Sequence, residues 1–150
     1  MRAAATADAL ARTTGLSVSY DERLRERHGG SWEGLTDGEI HERYPEAERA
    51  WQPPDGETEA AVGERVGAAL ADIAVRIPAG GTAVVASHGG ALRCGVGRFL
   101  GLAAESWRLL GPLNNCSWSV LGDVRGDSRG WRLLEHNAGT LPEPVLSDDR

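Results

Sequence analysis

The fold class is indicated by residues 82–90, which read TAVVASHGG. The apolar part, residues 82–87, has the length and composition of a buried strand in a parallel sheet. A histidine and two glycines follow it, and residues 91–100 resume a helical pattern. A buried strand that turns directly into a helix is typical of α/β proteins, which bind ligands at the carboxyl ends of such strands.

The turn after the strand, His88-Gly89-Gly90, has the properties of an anion site. The first N–H groups of the next helix and its dipole favour negative charge. Gly89 and Gly90 allow the backbone to approach a phosphate closely. His88 can donate a hydrogen bond to the same anion. The alternative is a histidine whose ring is satisfied by a backbone carbonyl, and these residues alone leave both interpretations open.

Helices are predicted before and after an early loop. Residues 3–13 are good helix formers, and Gly15 supplies a left-handed stop. Thr36 and Glu39 have the spacing of a capping box, which predicts a short helix that ends at Tyr44.

The clearest helical pattern follows a Pro- and Gly-containing break and begins after Thr58. Apolar residues at three- and four-residue steps give this helix one apolar face, and Pro78 ends it. We interpret this face as core packing rather than as a cofactor groove. Its members are Val62, Val66, Leu70, Ile73 and Ile77.

Further strands complete the predicted architecture. Residues 16–20 alternate between apolar and polar side chains, and residues 114–121 and 131–136 predict an antiparallel hairpin. The tail from Leu141 is predicted to be loosely held. We therefore expect one α/β domain over residues 1–150, with helices on both faces of a mainly parallel sheet in three layers.

Composition excludes several classes of protein. A chain of 150 residues that is 41% hydrophobic can bury the core of one domain. Its net charge of -6 argues against a nucleic-acid partner, and it has no run of about 18 apolar residues for a membrane. No secretion signal is visible, and Cys94 and Cys116 lack metal or disulfide spacing, so we expect a cytoplasmic protein.

Glu26 lies in a loop, residues 21–35, that is rich in charge and glycine. Arginines flank Glu26, so it fits a surface ion-pair network of little energetic consequence. A carboxylate on such a loop near an anion site also fits a general acid. The segment alone supports both interpretations.

Four stretches in series resemble the histidine phosphatase superfamily, and within it the phosphoglycerate mutase-like branch. They cover essentially the whole chain in the family's order. They are residues 2–7 (RAAATA), 24–36 (LRERHGGSWEGLT), 56–58 (GET) and 84–90 (VVASHGG).

The resemblance implies a role for each matching residue. Arg2 corresponds to the arginine that clamps the phosphoryl group, since a guanidinium fork suits phosphate oxygens. Glu26 corresponds to the acid that protonates the leaving alcohol. His88 corresponds to the histidine that hydrogen-bonds the transferring phosphoryl group, and Gly89 to the substrate-binding turn after it. No metal or other cofactor is implied.

One departure from the family pattern concerns the nucleophile, a histidine in an Arg-His-Gly motif on the first strand. Arg27-His28-Gly29 spells these letters, but it lies after Glu26 and no buried strand precedes it. We therefore expect that the first strand of the family fold is missing. We also expect the chain as given to be inactive or nearly so, because losing a member of a catalytic unit costs several orders of magnitude in rate.

The resemblance implies a phosphomonoester hydrolase that works through a phosphohistidine on a small phosphorylated substrate. The main alternative is a non-catalytic phosphate-ligand binder or scaffold, and the second alternative is a phosphoglycerate-type mutase. A serine hydrolase is disfavoured because Ser87 and His88 are adjacent on a strand and point to opposite faces. A metal site is disfavoured because no two histidines have ligand spacing. The strand at 82–87, left without its neighbour, predicts self-association or a homodimer.

Overall fold

The computed structural model describes residues 2–123 and 130–139. Five α-helices precede an antiparallel pair of strands in this part of the chain. The helices are α1 (Arg2–Thr14), α2 (Asp37–Arg43), α3 (Pro45–Arg49), α4 (Glu59–Arg76) and α5 (Gly89–Phe99). The strands are β1 (Trp118–Asp123) and β2 (Trp131–Ala138), and short 3-10 turns lie at Glu22–Leu24, Gly30–Trp32 and Ala104–Leu109.

The core forms where α4 packs against α5. Val62 and Val66 of α4 are fully buried, as the apolar periodicity of this helix predicts. A Cβ on Gly95 of α5 would lie 2.1 Å from the Val66 Cγ1 atom, so the two helices approach more closely than a larger residue would allow. The buried Trp107 ring closes one end of this core. The two helices therefore form a tightly packed pair that positions the loops attached to them.

The predicted helix ends are confirmed by their caps. The Thr36 side chain accepts a hydrogen bond from the Glu39 N–H, and the Glu39 carboxylate accepts one from the Thr36 N–H. Thr58 caps α4 in the same way through the Ala61 N–H. Gly15 follows α1 with a φ of 72°, the left-handed conformation expected there. The short helix α3 was not predicted from the sequence. It begins at Pro45, just after the end of α2.

The C-terminal hairpin is confirmed. β1 and β2 pair antiparallel, with Leu121 opposite Leu133, and the register shifts between Trp118 and Leu121. The turn between these strands and the tail from Leu141 lie outside the described residues.

The structure differs from the sequence prediction at residues 16–20 and 82–87, to which it assigns no strand. In the described ranges the only sheet is the two-stranded hairpin, so the parallel sheet in three layers is not seen there. A strand exists only where a second segment completes its hydrogen-bonded ladder, and no described segment does so at these positions. One apolar side chain in each segment is correspondingly open to solvent, with Leu16 67% and Val84 74% exposed.

Candidate active site

The Glu26 carboxylate lies at the N-terminus of α5. Its Oε1 atom accepts hydrogen bonds from the N–H of Ala91 and from the N–H of Arg27, each at 2.9 Å. Ala91 is the third residue of the helix, so the carboxylate takes the place that a capping side chain usually has. The positive end of the helix dipole favours a negative charge at this position. The long-range contact with Ala91 brings Glu26 to the turn that contains His88.

His88 is the residue that caps α5, and its imidazole is free. It has an extended backbone, and its side chain makes no capping hydrogen bond. Over residues 2–123 and 130–139 no hydrogen-bond or ion-pair partner is found for this ring, and the residue is only half-buried. The interpretation of His88 as a satisfied strand-end histidine is therefore not supported, and the ring is available to a ligand.

The two glycines after His88 leave room for close neighbours. A Cβ on Gly90 would lie 2.9 Å from the Glu26 Oε1 atom, so any larger residue would press on the carboxylate. A Cβ on Gly89 would lie 3.1 Å from the carbonyl oxygen of Leu113. The sequence-predicted residues Glu26, His88 and Gly89 thus surround one helix N-terminus.

Ser87 ties this turn to the loop of residues 21–35. Its hydroxyl donates a 2.7 Å hydrogen bond to the carbonyl oxygen of Leu24. The hydroxyl proton is therefore directed at a backbone carbonyl and not at an imidazole. The arrangement gives no support to a serine nucleophile.

The backbone around Glu26 is held by Arg65 of α4. The Arg65 Nη1 donates to the carbonyl oxygens of Arg23 and Arg25 at 2.7 and 2.8 Å, and its Nη2 donates to that of Glu26 at 3.1 Å. The same guanidinium binds both carboxylate oxygens of Glu57, each at 2.7 Å. These hydrogen bonds hold the pKa of Glu57 below its usual value of 4.5.

His28 lies beside the pair of Arg65 and Glu57 and not at the end of a strand. Its N–H donates to the Glu57 carboxylate at 2.9 Å, and its carbonyl oxygen accepts from the Glu57 N–H at 3.0 Å. Its imidazole is exposed, with Nε2 3.5 Å from a carboxylate oxygen of Glu33. These contacts do not hold the ring rigidly at the end of a strand, as in-line attack on phosphorus would require.

The remaining histidines have structural partners. The His136 Nε2 lies 2.9 Å from the carbonyl oxygen of Gly111, and its Nδ1 lies 3.0 Å from the hydroxyl of Ser119. Because a carbonyl can only accept, Nε2 donates to Gly111, and in the neutral ring Nδ1 then accepts from the hydroxyl. His41 pairs with Glu48 on the surface at 2.7 Å.

No described contact joins Arg2 to this turn. Arg2 begins α1 and is exposed, and its carbonyl oxygen accepts a hydrogen bond from the Thr6 hydroxyl. No residue of α1 is buried. The structure therefore brings together Glu26, His88 and Gly89 but does not join Arg2 to them, and the clamp role of Arg2 stays a prediction.

Within the two described ranges, no group of three or more His, Cys, Asp or Glu side chains is arranged to hold a metal ion. None of the helices described is both long enough and apolar enough to cross a bilayer.

Comparison with known proteins matches this chain to one family. The sequence model of the histidine phosphatase superfamily (branch 1) matches residues 1–139. The chain belongs to the histidine phosphatase superfamily. The resemblance carried by the four motifs is thereby confirmed, and the α/β fold with a C-terminal hairpin agrees with solved members of the superfamily.

Two kinds of superfamily relative are similar to this chain. A glucosyl-3-phosphoglycerate phosphatase of Mycolicibacterium vanbaalenii is 34% identical over 91% of this chain and 70% of its own length. A probable phosphoglycerate mutase of Salmonella arizonae is 35% identical over 76% of this chain and 55% of its own length. A mycobacterial glucosyl-3-phosphoglycerate phosphatase solved with inorganic phosphate superposes with a TM-score of 0.82, at 35% identity over 92% of this chain and 73% of its own.

Sequence reasoning missed Arg65 and the role of Glu57. Glu57 lies in one of the four matching stretches, but no local pattern gives its partner. The backbone carbonyl acceptors of Arg65 lie 39 to 42 residues earlier in the chain, so spacing within α4 carries no signal for them.

Proposed function

We propose that this chain carries the acid and the phosphoryl-binding turn of a phosphomonoesterase site. The observation that supports this best is the hydrogen bond from the Ala91 N–H to the Glu26 carboxylate. This bond holds a carboxylate at the N-terminus of the helix that His88 precedes, and a helix N-terminus favours the negative charge of a phosphoryl group.

The proposed reaction is a double displacement. The oxygen–phosphorus ester bond breaks as a phosphorus–nitrogen bond forms to a histidine nucleophile, and Glu26, which enters this step as the protonated carboxyl, gives that proton to the leaving alcohol. Water then attacks the phosphohistidine, the phosphorus–nitrogen bond breaks to release the histidine and inorganic phosphate, and the Glu26 carboxylate takes a proton from the attacking water and is protonated again. His88 and the N–H groups of Gly89 and Gly90 stabilise charge on the transferring group, and Arg2 clamps its oxygens.

Glu26, His88, Gly89, Gly90 and Arg2 do not include a nucleophile. His28 is the histidine whose neighbours spell the family motif, and its exposed ring lacks the backing that in-line attack requires. We therefore propose that the 150-residue chain by itself binds phosphate esters without turning them over. This observation also favours the second candidate, a non-catalytic phosphate-ligand binder.

The proposed substrate class is a small phosphoglycerate-type ester in the cytoplasm. The names of both kinds of relative contain a phosphoglycerate unit. Phosphatase is favoured over mutase because the phosphatase relatives match a larger share of this chain and of their own length.

The likeness to the solved phosphatases supports residues 82–87 as a strand of the family sheet. Cys94 and Cys116 are both free thiols, which agrees with a reducing compartment.

The first experiment is an assay of the 150-residue chain with 3-phosphoglycerate and p-nitrophenyl phosphate. The proposal predicts no turnover. Turnover above about 1 per second, within the usual enzyme range, that is lost in His28→Ala would show that His28 is the nucleophile.

The second experiment separates enzyme from binder. The genomic reading frame ahead of Met1 is read for an in-frame Arg-His-Gly segment, and a chain that includes such a segment is assayed. In that chain Glu26→Gln is expected to slow alkyl phosphates more than p-nitrophenyl phosphate, because a general acid matters most for a poor leaving group. Equal losses would remove Glu26 from the acid role, and an in-frame stop would favour the binder.

A further inference from the structure

Glu26 is exposed, so packing does not determine where its carboxylate lies. It also lies between two short 3-10 turns and outside any helix or strand. Polar contacts to the backbone are therefore what hold this residue in place.

Those contacts converge on one guanidinium. Three carbonyl oxygens, from Arg23, Arg25 and Glu26, accept from the Nη atoms of Arg65. Glu57 accepts from the remaining donors, Nε and Nη2. A guanidinium has five N–H groups in a fixed plane, and these five contacts use that capacity fully. A lysine has three donors on a flexible stem and has no equivalent arrangement.

Glu57 holds the backbone on the C-terminal side of Glu26. Besides binding Arg65, its carboxylate accepts from the His28 N–H, and its own N–H donates to the His28 carbonyl oxygen. The pair of Arg65 and Glu57 thus fixes the backbone both before and after Glu26.

The target of the carboxylate is fixed by the same helix pair. Arg65 is carried by α4, and Ala91 by α5. Next to Arg65, Val66 is fully buried and lies against Gly95 of α5, so the two helices are in close contact at this point. The guanidinium that holds the Glu26 backbone and the N–H that binds its carboxylate are therefore parts of one packed unit.

From this geometry we infer that Arg65, oriented by Glu57, is a positioning residue that holds the Glu26 carboxylate on the N-terminus of α5. That Arg65 matters for catalysis rests on the proposed acid role of Glu26. That Arg65 holds the Glu26 carboxylate in place does not rest on it.

The test reads the placement directly, by ¹H–¹⁵N NMR of the Ala91 amide. The spectrum of Glu26→Gln gives the position of the Ala91 amide signal when the carboxylate is replaced by an amide. Arg65→Lys is expected to move the Ala91 signal most of the way to that position, and Glu57→Gln to move it part of the way. The control is Arg98→Lys, which changes another ion pair between α4 and α5, 2.7 Å from Arg98 Nε to Glu64, and is expected to leave Ala91 in place.

A purely structural arginine gives a different result. If Arg65→Lys lowers the melting temperature but leaves the Ala91 signal where it was, the inference is overturned. Should Arg65→Lys fail to fold, Glu57→Gln decides, and an unmoved Ala91 signal in that variant overturns it equally. The leaving-group comparison for Glu26 is independent of this signal, so failure of the acid role and failure of the positioning role are told apart.

Discussion

Glu26 and Ala91 are 65 residues apart in the chain, and a 2.9 Å hydrogen bond joins the carboxylate of one to the backbone N–H of the other. This bond fixes the loop of residues 21–35 against the turn after residues 82–87. It also means that a bound phosphoryl group would meet a carboxylate already in place at the helix N-terminus.

The contact between Gly90 and Glu26 gives the first prediction. Gly90→Ala is expected to displace the carboxylate, because the new Cβ would lie 2.9 Å from Oε1. The matched control is Gly38→Ala, also at the second position of a helix but with open space around its Cβ. The control is expected to gain up to about 1 kcal/mol of stability from helix propensity, and Gly90→Ala to gain less or to lose stability. Urea unfolding of both variants measures the difference, and equal gains would contradict the close contact.

Part of the fold was predictable from the sequence because its signals are local. Thr36 and Glu39, or Val62 and Val66, lie within one turn of each other, so capping and periodicity show them. The resemblance paired Glu26 with His88, which composition and periodicity could not do. Arg65 was missed because its carbonyl acceptors are defined only by the fold. The strands at 16–20 and 82–87 were predicted from side-chain pattern, whereas a strand also needs a hydrogen-bonded neighbour.

Acid sensitivity tests the pair of Arg65 and Glu57. Arg65 holds the pKa of folded Glu57 below its usual 4.5, so the pair stabilises the fold above that pH. This contribution is lost as the pH falls through the lowered pKa. We expect the unfolding free energies of the wild type and of Glu57→Gln to differ most near pH 7 and to converge below about pH 4.5. A difference that stays constant from neutral to strongly acid pH would contradict the pair's role.

The two cysteines are expected to react very differently. Burial raises the pKa of the Cys94 thiol, whereas Cys116 is exposed. Since the thiolate is the reactive form, iodoacetamide is expected to modify Cys116 in the folded chain and Cys94 only after denaturation. Mass spectrometry of the labelled peptides checks this. Equal labelling of both thiols under native conditions would show that the core between α4 and α5 opens readily.

The apolar surface at residues 82–87 predicts association between chains. Val84 is 74% exposed and lies in a segment of high β propensity without a described strand partner. We expect the 150-residue chain to self-associate in sedimentation experiments, and Val84→Arg to reduce that association. A chain that stays monomeric at high concentration and melts cooperatively above about 65 °C would show that this surface is not a pairing edge.

The most direct test of the phosphoryl-binding site is a titration of the chain with inorganic phosphate, followed by ¹H–¹⁵N NMR. We expect the signals of His88, Gly89 and Gly90 to shift in the millimolar range of phosphate. These shifts are expected to be lost in His88→Ala and retained in the surface variant His41→Ala. Because the Glu26 carboxylate repels a second anion nearby, Glu26→Gln is expected to bind phosphate more tightly than the wild type. No shift at these residues at high millimolar phosphate, or equal affinity in Glu26→Gln and the wild type, would contradict a phosphoryl site shared by Glu26 and His88.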